Sequence, residues 1–267
     1  MQILVIGGGN MGLTYAKSFL RSHIVKAEQM IILEKSVKKA EELRKLNIGT
    51  VYGKAGSYIK DVDIIILAVK PQDIQKVFAD LKPYIDKQQV MMSIMAGVKI
   101  QTIIDGLGSP KVIRAMPNLP AQVGMGMTVY HASEEITRIE LVMVQNLLSS
   151  TGKTVFGEDE NAIDAATAIS GSGPAYVFYF MQSLIDSAKS MGYSQSQAEL
   201  LTYQTFRGAI ELYNKYDFSC EEWIAKVSSK GGTTEAAFNS FTDSNIAEIF
   251  RQGVEKARLR AIELSNG

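Results

Sequence analysis

The chain reads as α/β up to about residue 157 and all-α beyond it, a mainly parallel sheet followed by a helical domain. Three observations predict this. Short apolar runs alternate with helical periodicity through the first part, as βαβ units do. Runs such as Ile64-Ile65-Ile66-Leu67-Ala68-Val69 show little alternation, as strands buried on both faces do. After Gly157-Glu158-Asp159-Glu160 no strand pattern returns.

Strands are expected at Gln2 to Ile6, Met30 to Leu33, Asp63 to Val69, Gln89 to Ile94, Lys111 to Met116, Met125 to Tyr130 and Lys153 to Phe156. Helical stretches such as Ser36 to Leu46 and Ile74 to Leu81 separate them. The second part is expected as helices over Ala162 to Ile169, Pro174 to Met191, Gln195 to Tyr213, Cys220 to Val227, Thr233 to Phe241 and Ile246 to Leu264. Pro174 suits a first helical turn, where its missing N–H costs nothing. The run Tyr176 to Met181 is apolar almost all round, so its helix must be buried on several sides. Residues 158–267 are too few to cover such a helix alone, and a homodimer through this half is the expected solution.

Composition sets the outer limits. The 267 residues are 46% hydrophobic, and 28 basic residues balance 28 acidic ones, which gives no electrostatic reason to bind nucleic acid or a membrane surface. One cysteine, Cys220, excludes an intrachain disulfide, and two histidines leave no cluster with metal-ligand spacing. No apolar run reaches the roughly 18–20 residues of a membrane span, and Met1 leads straight into a strand without a signal sequence. A reducing, cytoplasmic setting without a structural metal is expected.

Gly7-Gly8-Gly9-Asn10-Met11-Gly12 joins the first strand to a helix, the context in which a GxGxxG spacing carries weight. Gly7 allows the tight turn, Gly9 the approach of a pyrophosphate and Gly12 the packing of helix on strand, so a dinucleotide is expected here. Glu34 ends the second strand, where a carboxylate accepts hydrogen bonds from the adenosine ribose and favours NAD. Lys35, Ser36, Lys38 and Lys39 follow at once and would suit the 2'-phosphate of NADP if Glu34 turned aside, so the choice stays open. Ala68, Val69, Lys70 and Pro71 close one strand and Met116, Pro117 and Asn118 another, on the edge where open α/β sheets bind ligands. Asn118 is expected to reach nicotinamide or substrate.

In the helical part, Ile169-Ser170-Gly171-Ser172-Gly173-Pro174-Ala175-Tyr176 puts small residues before a helix, where a backbone or cofactor can come close. Val227-Ser228-Ser229-Lys230-Gly231-Gly232-Thr233-Thr234 runs from a hydroxyl- and glycine-rich loop into a helix start, which reads as an anion site for a small carboxylate. His23, His131, Trp223 and Cys220 have no base, acid or metal partner in view and read as structural.

Together, Gly7 to Gly12, Ala68 to Gln72, Met116 to Ala121, Ser170 to Tyr176 and Val227 to Thr234 resemble the pyrroline-5-carboxylate reductase family over essentially the whole chain. The resemblance implies a Rossmann-type dinucleotide-binding domain (1–157) and an all-α dimerisation and substrate domain (158–267). It implies reduction of 1-pyrroline-5-carboxylate to L-proline with NADPH or NADH, in dimers that can build larger rings. By motif, Thr234 resembles the threonine that hydrogen-bonds the substrate ring nitrogen, and Val227, Ser229, Gly231, Gly232 and Thr233 the loop holding its carboxylate. Lys230 stands where the family usually has proline, and Leu119 where threonine is common. A β-hydroxyacid dehydrogenase or imine reductase would share the plan but carry a catalytic lysine in the first long helix, and Gly173 to Met181 contains none. A dinucleotide-binding sensor without turnover is the rival from another class.

Overall fold

The computed structural model describes residues 1–266. Its strands are β1 (Ile3–Ile6), β2 (Met30–Leu33), β3 (Thr50–Tyr52), β4 (Ile64–Leu67), β5 (Val90–Ser93), β6 (Val112–Met116), β7 (Gly126–Ala132) and β8 (Gly152–Phe156). They form one sheet in the order β3-β2-β1-β4-β5-β6-β7-β8. The helices between them are α1 (Asn10–Arg21), α2 (Val37–Lys45), α3 (Ile74–Leu81), α4 (Ile100–Leu107) and α5 (Arg138–Ser149). β1 pairs in parallel with both β2 and β4, so the sheet reverses its direction of growth there and opens a crevice at the carboxyl ends of these strands. β7 runs antiparallel to β6 because the segment joining them is too short for a crossover, whereas α5 returns the chain to place β8 parallel to β7.

Every expected strand forms, within a few residues of its expected ends. β3 was not anticipated: three residues with only Val51 buried leave too little pattern to read. Apolar side chains cover both faces of the sheet. Tyr15, Phe19, Leu43, Val144 and Leu147 bring α1, α2 and α5 onto one face, and Phe78, Leu81, Ile103 and Leu107 bring α3 and α4 onto the other. Ile64, Ile65, Ile66 and Leu67 are completely buried between the two layers, and each such side chain contributes roughly 1.5–3 kcal/mol.

Beyond the sheet come α6 (Asn161–Ala166), α7 (Gly173–Ser190), α8 (Gln195–Lys215), α9 (Cys220–Val227), α10 (Thr233–Asp243) and α11 (Ile246–Asn266). The sequence puts a continuous helix over Ala162 to Ile169, but α6 stops at Ala166 and gives way to a π-helical turn over Thr167–Gly171. There the Ser172 N–H donates to the Thr167 carbonyl five residues back.

The change from strands to helices falls at the expected residue 157, yet the chain divides into compact units elsewhere. One unit holds Met1–Ser172 with residues 257–266, the other Gly173–Lys256. The reason is that α6 packs on β6 and β7, and the end of α11 is tied to the same strands by a buried Arg114.

The second unit consists of α7 to α10 and the first part of α11. Ser194 and Ser219 start α8 and α9 with capping boxes to Gln197 and Glu222. Phe250 meets the rings of Tyr176 and Phe180 at 5.6 Å. Even so, Ala198 and Thr202 are the only described residues of this unit that are buried. Phe178 is 60% exposed, Tyr179 70%, Leu200 65% and Ile249 62%, so the apolar helix that the sequence requires to be covered is not covered within one chain.

Candidate active site

The glycine turn leaves β1 at the crevice, and three of its four glycines serve different ends. Gly7 has φ +96°, which other residues rarely adopt, and a side chain there would press on the Ala68 carbonyl at 2.7 Å. A side chain at Gly12 would collide with the carbonyl oxygen of Gly7, so helix and strand meet only because it has none. Gly9 is different. Its backbone is ordinary, and the nearest atom to an added Cβ is the Lys39 Nζ at 3.9 Å. Nothing in the protein requires glycine there. The open backbone at the start of α1 is the kind of approach that a pyrophosphate uses in such a turn. Asn10 is exposed on the first turn of α1, and Met11 packs against the core beneath it.

Beside this turn, Glu34 is 7% exposed. One carboxylate oxygen accepts the Gly8 N–H at 3.1 Å and the other accepts the Ser36 N–H at 2.9 Å. Lys39 Nζ lies 3.9 Å away, while Lys35 is paired with Asp73 at 2.9 Å. Ser36 caps α2 by accepting the Lys39 N–H. Tyr52, at the end of β3, accepts the Glu34 N–H on its carbonyl and stacks on Tyr58 at 3.8 Å. Burial, helped by Tyr52 and Tyr84, pushes the Tyr58 hydroxyl up to about 12 and keeps that ring neutral.

Ala68 and Val69 follow β4, and Ala68 extends its pairing with β1 through the Ile6 carbonyl. Lys70 and Pro71 are exposed at the start of a short 3-10 turn. At the end of β6, Asn118 turns out to be committed within the protein. Its amide nitrogen donates to the Ser170 carbonyl at 2.9 Å, and its amide oxygen accepts the Met127 N–H at 2.9 Å. These bonds hold the Met116-Pro117-Asn118 turn against the π-helical turn, where a side chain at Gly171 would sit 3.0 Å from the Met116 methyl.

Arg114 underlies the same turn and is missing from the residues singled out in the sequence. It is 1% exposed and binds Glu160 at 2.9 Å, Asp164 at 2.7 Å and Ser265 at 3.1 Å. The signal was present: an arginine inside an apolar strand, and two acids four residues apart, Glu160 just ahead of α6 and Asp164 within it.

In the helical unit, the Val227 to Thr234 segment forms a tight turn between α9 and α10. Val227 is exposed at the end of α9, and Gly231 takes φ +74°. The Gly231 N–H donates to the Glu235 carboxylate at 2.7 Å and the Gly232 N–H to the Ser229 carbonyl at 2.9 Å. Two of the N–H groups that the sequence reading left for an anion are therefore used by the turn itself. Those at the start of α10, on Thr233 and Thr234, are the ones a helix leaves unpaired. Thr234 is half-buried, Lys230 is exposed, and the Ser228 hydroxyl is buried without a partner within the chain. Among the described residues no group of three or more His, Cys, Asp or Glu side chains is placed to hold a metal ion, and no helix is long and apolar enough to cross a membrane.

A glycine turn at a topological switch point, an acidic residue closing the next strand and a separate helical unit define the class: a two-domain, dinucleotide-dependent oxidoreductase. Comparison with known proteins narrows it. Residues 160–264 match the family model for pyrroline-5-carboxylate reductase dimerisation, and residues 2–97 that for NADP oxidoreductase, coenzyme F420-dependent. The pyrroline-5-carboxylate reductase of Pseudomonas aeruginosa is 33% identical, over 99% of this chain and 97% of its own. Among solved structures, the reductase of Coxiella burnetii superposes with a TM-score of 0.89 at 30% identity, covering 99% of this chain and 98% of that one. The pyrroline carboxylate reductase of Plasmodium falciparum, solved with NADP bound, also gives 0.89, at 28% identity with the same coverage. The chain belongs to the pyrroline-5-carboxylate reductase family.

Proposed function

We propose that the two halves divide the reduction of 1-pyrroline-5-carboxylate to L-proline, with residues 1–157 binding NAD(P)H and residues 158–267 binding the imine acid and forming a homodimer. The family matches at 2–97 and 160–264 support that division. The observation that carries the cofactor half is Gly9, the residue that caps the start of α1 with open space before its backbone. Gly7, Gly9, Asn10, Met11 and Gly12 would cradle the pyrophosphate, Glu34, Lys35 and Ser36 the adenosine ribose, and Ala68 to Pro71 with Met116 and Pro117 the remaining length. Asn118 is a positioning residue here, because its amide holds the turn that carries Met116 and Pro117.

When bound, the nicotinamide supplies the hydride, which goes to the C=N carbon of the substrate while the ring nitrogen keeps a proton. A cyclic imine is protonated readily near neutral pH, so the site needs no strong general acid. The chain's task is mainly positioning. The Thr234 hydroxyl bonds the ring nitrogen, and the N–H groups of Thr233 and Thr234, with Val227, Ser229, Gly231 and Gly232 shaping the turn, hold the carboxylate. The exposed apolar side chains of α7, α8 and α11 support a dimer through the helical half; rings of such dimers and a cytoplasmic setting are part of the reading through the family resemblance alone. A monomeric mass in solution would remove the dimer from this reading.

The test of the whole is NAD(P)H oxidation with 1-pyrroline-5-carboxylate. Rapid substrate-dependent oxidation is expected. Binding without turnover would favour a sensor, and turnover of 3-hydroxy acids instead would favour the dehydrogenase rival.

A further inference from the structure

The acid at the end of β2 is held more firmly than its position alone implies. Both Glu34 oxygens accept backbone N–H groups, one from Gly8 inside the glycine turn and one from Ser36 ahead of α2. Its own N–H is fixed to the Tyr52 carbonyl at 3.0 Å, so β3 holds the residue from the other side. Turning the side chain away would leave two backbone donors without acceptors and would draw the carboxylate from Lys39. The route by which such a residue makes room for a phosphate is therefore closed.

The neighbouring lysines offset this charge only in part, because Lys38 points to solvent on the exposed side of α2. Lys35 is spent on Asp73, and Lys39 is the cation nearest to Glu34 itself, at 3.9 Å. A carboxylate has about four lone-pair positions, and the two backbone bonds leave about two. Ribose hydroxyls can donate to those. A phosphate dianion has no proton to donate and would meet a nearly buried negative charge.

From this we infer that Glu34 selects the cofactor: the chain binds NADH in preference to NADPH, with Glu34 accepting from the adenosine ribose hydroxyls and repelling a 2'-phosphate. The inference rests on the dinucleotide reading above and sharpens it for this chain.

Isothermal titration of the full-length protein with NADH and with NADPH, without imine substrate, tests it by binding alone. The native protein should bind NADH at least about tenfold more tightly than NADPH. Glu34→Ala should bring the ratio to about threefold or less, chiefly by tightening NADPH. Glu34→Gln keeps one acceptor oxygen for the turn and should move the ratio the same way. Equal or tighter binding of NADPH by the native protein overturns the inference and leaves the reductase reading standing. So does a ratio unchanged in both variants. Failure of the native protein to bind either dinucleotide overturns the cofactor reading itself, and this inference with it.

Discussion

The sheet unit and the first helix of the second unit both contain unbroken apolar runs and use them differently. In β4 every residue is buried, whereas in α7 none is, although α7 contains Tyr176 to Met181 as an unbroken apolar run. The sheet unit closes its own core with helices on both faces and ties its loose ends with buried polar bonds. The helical unit closes almost nothing. A unit that is finished in one chain can hold a cofactor by itself, while one that is unfinished calls for a second copy before its loops have fixed surroundings. Cofactor recognition should thus be robust to changes in the helices, and substrate recognition should not.

The largest effect expected is at Arg114. Replacing it with leucine leaves Asp164 buried without its cation and removes one of the bonds that hold the end of α11, a loss of roughly 3–5 kcal/mol. Denaturant unfolding reads this directly. A loss below about 1 kcal/mol would mean that the sheet unit does not depend on this clasp.

Gly9→Ala separates ligand from fold. With no atom nearer than 3.9 Å to the new Cβ, stability should change by less than about 1 kcal/mol. Dinucleotide affinity should fall by about tenfold or more, because the methyl occupies the pyrophosphate approach. Calorimetry with NADH checks the second effect and thermal unfolding the first. Parallel losses in both would make Gly9 a folding residue.

A smaller effect concerns Glu140, which pairs with Lys111 at 2.8 Å in the sheet unit. Desolvation pushes its carboxyl up, but hydrogen bonds from Lys111 and Thr137 and the lysine's charge outweigh it, and the net direction is down from 4.5. A depressed folded value means that the contribution is present above 4.5 and is lost as pH falls below it. Lys111→Met should cost about 1 kcal/mol at neutral pH, and the difference from the native protein should shrink in acid. A difference independent of pH would show that the loss comes from packing.

Where patterns repeat, the fold was legible. β2 and α3 fall on the residues the periodicity marks, and the glycine turn was read residue by residue. What stayed hidden depends on partners distant in sequence. β3 is three residues long and is a strand only because β2 lies beside it. Asn118 looked free to reach a ligand, and only the fold brings Ser170 and Met127 to its amide. The loop between α9 and α10 was legible as a turn into a helix start, but nothing in its spacing announced that Glu235 turns back to the Gly231 N–H. Glu34 was visible as a residue and ambiguous as a determinant, since the two backbone bonds that fix it arise from the packing of the turn on β2.

The division of labour between the units is tested most directly by Thr234→Ala, with steady-state kinetics on 1-pyrroline-5-carboxylate and calorimetric NADH binding measured on the same preparation. Loss of one positioned hydrogen bond should lower kcat/KM by about ten- to a hundredfold and leave NADH affinity unchanged. Unchanged kinetics, or an equal loss of NADH affinity, would contradict the account.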